Sequence, residues 1–280
     1  GCISVVATAS AVSGVGNGIR IISQWNIYLS NVLVPFFLFG GPTQRLMGFF
    51  ITSIGDYLWN VIPMGFSTAA TPGDNAWQGG WTTFYWGWWI SWAPFVGMFI
   101  ARISRGRTIR EFMVGAMFVP TTIAFFWLCI FGGSALHMEL NAAGGVGTAG
   151  VLDIVRAENL PNALFGTIKR ATDISWLNWA MSALATLLLA TWFITSSDSG
   201  TLVITTMLSM GDDNPPVRFR ILWGLGEGFV AAVLLLAGGL KALQTAAIAA
   251  ALPVTIIMIV MTYGLIKFCG RTRAPLKVQT

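Results

Sequence analysis

Charge is scarce in this 280-residue chain: Asp, Glu, Lys and Arg make up 10% of it, against roughly 25% in a soluble domain. Cysteine occurs three times, at Cys2, Cys129 and Cys269. So few, so far apart, exclude a disulfide scaffold. A single histidine, His137, argues against a zinc site. Paired carboxylates, metal-ligand clusters and nucleophile–base pairs are not visible, so the chain does not read as an enzyme. What is present is apolar: 55% hydrophobic and 13% aromatic residues, with a mean hydropathy of +0.71. That excludes disorder. The remaining class is an all-α integral membrane protein with several helices.

A crossing needs ~20 apolar residues. The runs 27–50, 81–101, 111–133, 176–198, 221–240 and 243–266 qualify, and 2–15 is too short. That first run lacks the basic start and the small-residue cleavage site of a signal peptide. It reads as the back half of a spanning helix, which implies a fragment whose N-terminal part is missing. The stretch 176–210 exceeds one crossing. Residues 51–80 hold Asp56, Pro63, Pro72, Gly73 and Asp74 and read as an interfacial segment with a short helix. Residues 134–175 form a long connection with a surface helix near 160–170. With the 16–26 connection placed inside, eleven of the 16 Lys and Arg residues fall on the inner side, which predicts a cytoplasmic C-terminus. Basic inner loops also account for the net charge of +5 without a nucleic-acid partner.

Three features rise above this background. Trp81-Thr82-Thr83-Phe84-Tyr85-Trp86-Gly87-Trp88-Trp89-Ile90-Ser91-Trp92 holds five of the 13 tryptophans. Tyr85, Trp88, Trp89 and Trp92 follow an i, i+3, i+4, i+7 pattern and share one helix face. An interfacial belt covers about one turn, but this run spans ~16 Å of helix. It is either an aromatic box for a cation without N–H donors, such as a quaternary ammonium, or a core-packing stripe. Next, Trp192-Phe193-Ile194-Thr195-Ser196-Ser197-Asp198-Ser199 puts hydroxyls and an acid at mid-depth of a long apolar helix. These are hard oxygen ligands suited to a small cation such as sodium, or helix glue. Third, Arg102, Arg105, Arg107 and Arg110 form a short basic loop, as the positive-inside rule expects. His137, just past a span end with Glu139 near it, reads as a loop residue. Ser13-Gly14-Val15-Gly16-Asn17-Gly18 reads as a helix terminus rather than a phosphate loop.

Taken together, these residues resemble the betaine/choline/carnitine transporter family. Gly80-Trp81-Thr82-Thr83-Phe84-Tyr85-Trp86-Gly87-Trp88-Trp89 is similar to the family signature. Thr83 stands where an aliphatic residue is usual, which bears on helix packing more than on the box. Phe95-Val96-Gly97-Met98-Phe99, Ala101 to Arg107, Ser13 to Gly16 with Gly18-Ile19-Arg20, and Phe193 to Ser199 continue the match over nearly the whole chain.

The resemblance implies a leucine-transporter-type bundle of two inverted five-helix repeats. Residues 1–50 would end the first repeat, which is truncated. Residues 51–80 would be an interfacial periplasmic segment, 81–268 the complete second repeat of five spans, and 269–280 a cytoplasmic tail. The site would then be half present. Trp88, Trp89, Trp92 and Phe84 match substrate-contacting aromatics, with Trp89 the principal cation–π partner. Thr195 and Ser196, with the Trp192 carbonyl, match a sodium site, and Phe95 lies at a second one. Ser91-Trp92-Ala93-Pro94-Phe95 resembles the ion-coupled branch. No cofactor is implied beyond a coupling ion, Na+ or H+. The implied function is ion-coupled import of choline, glycine betaine or a related solute across a bacterial inner membrane, for osmoprotection or choline supply, by a multi-pass protein that is often a homotrimer. The alternatives are a transporter of another zwitterion, such as ectoine, carnitine or an amino acid, or a channel.

Overall fold

A computed structural model describes residues 2–13, 18, 20–68, 71–142, 150–156, 160–212 and 214–272. The described residues contain helices and no strands. In order these are α1 (Cys2–Ser13), α2 (Arg20–Gly40), α3 (Thr43–Gly65), α4 (Pro72–Gln78), a π-helical turn (Gly79–Thr83), α5 (Phe84–Ile103), α6 (Ile109–Leu140), α7 (Val151–Arg156), α8 (Leu160–Ala171), α9 (Ser175–Leu208) and α10 (Val217–Thr272). Four are long and apolar enough to cross a membrane: Arg20–Gly40, Ile109–Leu140, Ser175–Leu208 and Val217–Gly270. Apolar side chains such as Phe39, Phe118 and Leu236 stand 73%, 66% and 89% exposed, exposures that suit lipid rather than water.

The structure redraws one crossing. The run 27–50 is not a single helix, because α2 ends at Gly40 and α3 begins at Thr43. Pro42 has no N–H to continue the ladder, and Thr43 Oγ1 turns back to the Leu38 carbonyl at 2.6 Å. Residues 51–65, expected in an interfacial segment, complete α3, and the short helix expected there is α4. Arg20 to Asn26, expected in a connection, open α2. The run 81–101, expected to cross, forms the π-helical turn and α5, which is not among the four helices long and apolar enough to cross, and α6 continues past the expected span end at 133 to Leu140. Helix α9 runs 34 residues, as expected of a stretch longer than one crossing. Helix α8 matches the helix expected near 160–170 but buries Ile168 in the core instead of lying on the surface. Helix α10 is interrupted at Gly238 and Gly239, at the end of the expected span 221–240. Four residues of the expected helix terminus, 14–17, and the end of the tail, 273–280, lie outside the described residues.

The chain forms two compact units, neither of them one stretch of sequence. One comprises Cys2–Ser67 and Gly106–Ser199. Its core joins Leu33 and Phe37 of α2, Ile130 of α6, Ile168 of α8, and Ala185 and Leu188 of α9. Gly133 lets α6 approach α3 closely, since a Cβ there would stand 3.0 Å from Leu46. Thr108 and Glu111 form a capping box at the start of α6. Glu139 accepts from the backbone N–H groups of Val151 and Leu152 at 2.5 and 2.7 Å, tying α7 to α6.

The other unit comprises Thr68–Arg105 and Gly200–Thr280. Here α5 packs on the second half of α10. Gly87 faces Ile248, 3.5 Å from where a Cβ would stand. One turn on, Ser91 Oγ donates to the Ala247 carbonyl at 2.6 Å. Small residues one turn apart thus set the contact face of α5.

Gly239 holds φ 64° and ψ −154°, a region that side chains disfavour. Gly239→Ala should therefore destabilise the complete protein by about 1–3 kcal/mol. Gly264→Ala, with open space around it, should not. Thermal denaturation midpoints in detergent compare the two.

Candidate functional site

The tryptophan run begins in the π-helical turn, with Trp81, and continues through Trp92 in the first half of α5. Its rings interlock along one helix face, as the spacing predicts. Tyr85 meets Trp88 edge-on with centroids 5.9 Å apart. It also lies 6.4 Å from Trp89, and Trp88 and Trp89 are 6.3 Å apart. Phe84 stacks on Trp88, 6.1 Å away and within 9° of parallel. Further along, Trp92 and Phe95 meet edge-on at 5.9 Å. Trp88 and Trp89 remain 41% and 53% exposed, although Gly87 between them and Trp86 is buried against α10. The packed face of α5 is thus the Gly87–Ser91 face, and the tryptophan face presents open rings. Open π-faces are what a desolvated cation needs. All these rings lie on one helix. A separate apolar groove of about 660 Å³ between α5 and the second half of α10 is lined by Ala93, Pro94, Gly97, Met258, Met261 and Phe268, and by none of the tryptophans.

The hydroxyl run lies past the midpoint of α9. Thr195 Oγ1 back-bonds to the Thr191 and Trp192 carbonyls at 3.1 and 3.0 Å, the behaviour expected of a helical threonine. It also receives Asn26 Nδ2 from α2 at 3.4 Å. Ser196 is exposed. Trp192 packs its ring on Trp127, 5.3 Å away. The structure adds two residues that the sequence reading did not single out. Asn26 is only 7% exposed, and its Oδ1 has no partner among the described residues. A buried acceptor without a donor costs about 1–3 kcal/mol. Ser10 of α1 donates to Asp198 Oδ2 at 2.6 Å, with Asp198 fully buried.

His137, read as a loop residue, sits in the last turn of α6 with its Nδ1 3.1 Å from Arg45 Nη1 and 2.9 Å from Asn141 Nδ2. In the basic loop, Arg102 Nη1 donates to Thr206 at 3.4 Å.

The family described as "BCCT, betaine/carnitine/choline family transporter" matches residues 1–274. The chain belongs to this family. It is 41% identical over 276 residues to the glycine betaine transporter OpuD of Bacillus subtilis, covering 98% of this chain and 51% of the relative. A glycine betaine/proline/choline/ectoine transporter of Vibrio parahaemolyticus is 37% identical over 95% of this chain and 45% of its own length. A glycine betaine transporter of Acinetobacter baylyi is 39% identical over 95% of this chain and 38% of its own. The chain spans about half the length, or less, of these curated relatives.

The Ser10–Asp198 bond gives a test of the polar core. Ser10→Ala leaves a buried carboxylate short of a donor and should lower stability by about 1–3 kcal/mol. Asp198→Asn in the Ser10→Ala background should recover part of the loss. Denaturation midpoints of the complete protein check both.

Proposed function

We propose that the protein is a secondary transporter importing a quaternary ammonium solute, choline, glycine betaine or a close relative, by alternating access coupled to an ion gradient. The observation that carries this reading is the tryptophan face of α5, with Trp88 and Trp89 presenting open rings within a helix of crossing length. A trimethylammonium group cannot donate a hydrogen bond, so its charge is met by ring faces. Trp88, Trp89, Trp92 and Phe84 hold the head group, and the relatives' names for glycine betaine and choline support that choice. Phe95 extends the aromatic wall from Trp92 and belongs to a second ion site. The core moves as two inverted repeats against each other, in a bacterial inner membrane with the C-terminus cytoplasmic, in a protein that assembles as a homotrimer.

We assign the coupling ion, Na+ or H+, to Thr195, Ser196 and the Trp192 carbonyl. Asn26 joins this set. Its Oδ1, which has no partner among the described residues, and the Thr195 hydroxyl next to its Nδ2 are hard donors contributed by two helices, chemistry that suits sodium.

Trp89→Leu in the complete protein should weaken choline and glycine betaine binding roughly 30-fold, the equivalent of about 2 kcal/mol. Trp89→Phe should weaken it less, since a ring face remains. A binding titration in which Leu, Phe and parent proteins agree would remove the aromatic site from the account. Thr195→Ala and Asn26→Leu should each raise the ion concentration for half-maximal uptake by roughly tenfold. Uptake with unchanged sodium and pH dependence would place the ion elsewhere.

A further inference from the structure

The corner where α2 turns into α3 encloses a cavity of about 290 Å³ with the last turns of α6 and the end of α8. Phe36 and Gly41 line it at the corner, Ser134, His137 and Met138 from α6, and Arg170 from α8. None of the α5 tryptophans lines it. Ser134 and His137 are three residues apart and share a helix face. Ser134 is only 2% exposed, and its Oγ has no partner among the described residues. That oxygen is 3.9 Å from the point where a Gly41 Cβ would stand, and Gly41 lines the same cavity, so the hydroxyl lies at its wall. The tautomer of His137 follows from its neighbours. Arg45 Nη1, which can only donate, is 3.1 Å from His137 Nδ1. Asn141 Nδ2 is 2.9 Å from the same nitrogen and donates to the His137 carbonyl at 2.8 Å. Nδ1 is therefore the acceptor, and the proton of the neutral ring is on Nε2, where no described residue accepts it. The surrounding charge is positive. Arg45 bonds to His137 and Asn141, and Arg170 Nη1 donates to the Gly166 carbonyl at 2.9 Å. Among the described residues neither guanidinium pairs with a carboxylate. Glu139, two residues beyond His137, lies about 200° around the helix and accepts from the backbone of α7.

A hydroxyl, an imidazole N–H and a guanidinium all donate hydrogen bonds, a set that suits an anion. The apolar part of the wall, Phe36 and Met138, suits an organic anion better than a hydrated inorganic one. Arg107 and Arg110 stand at the start of α6, and the cavity is at its far end, about 40 Å along the axis. By the positive-inside rule that end is the outer one. We propose that this cavity is a binding site for a small carboxylate on the outer side of the membrane. Ser134 Oγ and His137 Nε2 donate to the carboxylate oxygens, and Arg170 supplies the opposite charge. Arg45 holds the imidazole in its donating tautomer. The carboxylate can come from a free organic acid or from a zwitterionic solute such as glycine betaine. The site does not depend on what the α5 tryptophans bind.

The test follows the side-chain nitrogen resonances of His137 in the complete protein labelled with nitrogen-15 histidine. The His137 signal is the one lost in His137→Gln. Acetate, glycine betaine and choline are titrated separately against sodium chloride at equal ionic strength, choline being the head group without a carboxylate. Acetate should shift the Nε2 resonance saturably, and choline should not. A shift with glycine betaine as well shows that the site accepts the carboxylate of a zwitterion. A shift with acetate alone restricts it to free acids. Ser134→Ala and Arg170→Gln should each weaken acetate binding on the order of tenfold, the worth of a hydrogen bond to a charged group. Arg170→Lys keeps the charge and should lose less. Arg170 is exposed, so its variants carry the test if Ser134→Ala does not fold. A His137 signal that acetate leaves unmoved, or that choline or chloride moves as far, overturns the site. So does an acetate affinity unchanged in Ser134→Ala and Arg170→Gln.

Discussion

In hydrocarbon no water is present to take up a hydrogen bond, so each backbone and side-chain polar group must find its partner within the protein. Long helices answer this for the backbone. For hydroxyls the same helices supply the answer: Thr122 bonds to Phe118, Thr186 to Ser182, Thr255 to Ala251 and Thr262 to Met258, each to the carbonyl one turn back. Most hydroxyls within the spans are thereby neutralised locally. Among the described residues, some polar groups instead reach across to another helix. Ser10 with Asp198, Asn26 with Thr195, and Thr201 with Glu227 each join residues of different helices.

The same constraint shapes the packing. Apolar side chains gain little by leaving lipid for a helix interface, so close approach rests on small residues and directed bonds. Gly87 and Ser91 seat α5 on α10, and Gly133 seats α6 on α3. Because α5 is anchored by its small-residue face, its tryptophan face is left to other work. The breaks follow backbone chemistry, with Pro42 separating α2 from α3 and Gly238–Gly239 dividing α10.

The helical class and most crossings were legible, because runs such as 111–133 and 176–198 are long and apolar enough to leave no other structure. The division of 27–50 was not. Phe36 to Phe39 and Met47 to Ile51 keep the hydropathy high across Gly40-Gly41-Pro42, although that tripeptide is itself a turn signal. The shared face of Tyr85, Trp88 and Trp89 was legible because helical periodicity alone fixes it. Asn26 and Glu227 were not, since each is a single polar residue whose partner, Thr195 or Thr201, lies on another helix. No spacing rule joins residues 169 positions apart. Their signal was depth: an amide seven residues into α2, and an acid at the centre of a span.

The central claim is that the tryptophan face of α5 receives a quaternary cation. The most direct measurement is an anomalous-diffraction map of the complete protein bound to arsenocholine, in which arsenic replaces the quaternary nitrogen. The account predicts an arsenic peak within about 6 Å of the Trp89 ring centroid, the reach of a cation–π contact, with Trp88 or Trp92 alongside. A single peak elsewhere in the protein, with the Trp89 ring free, would contradict it.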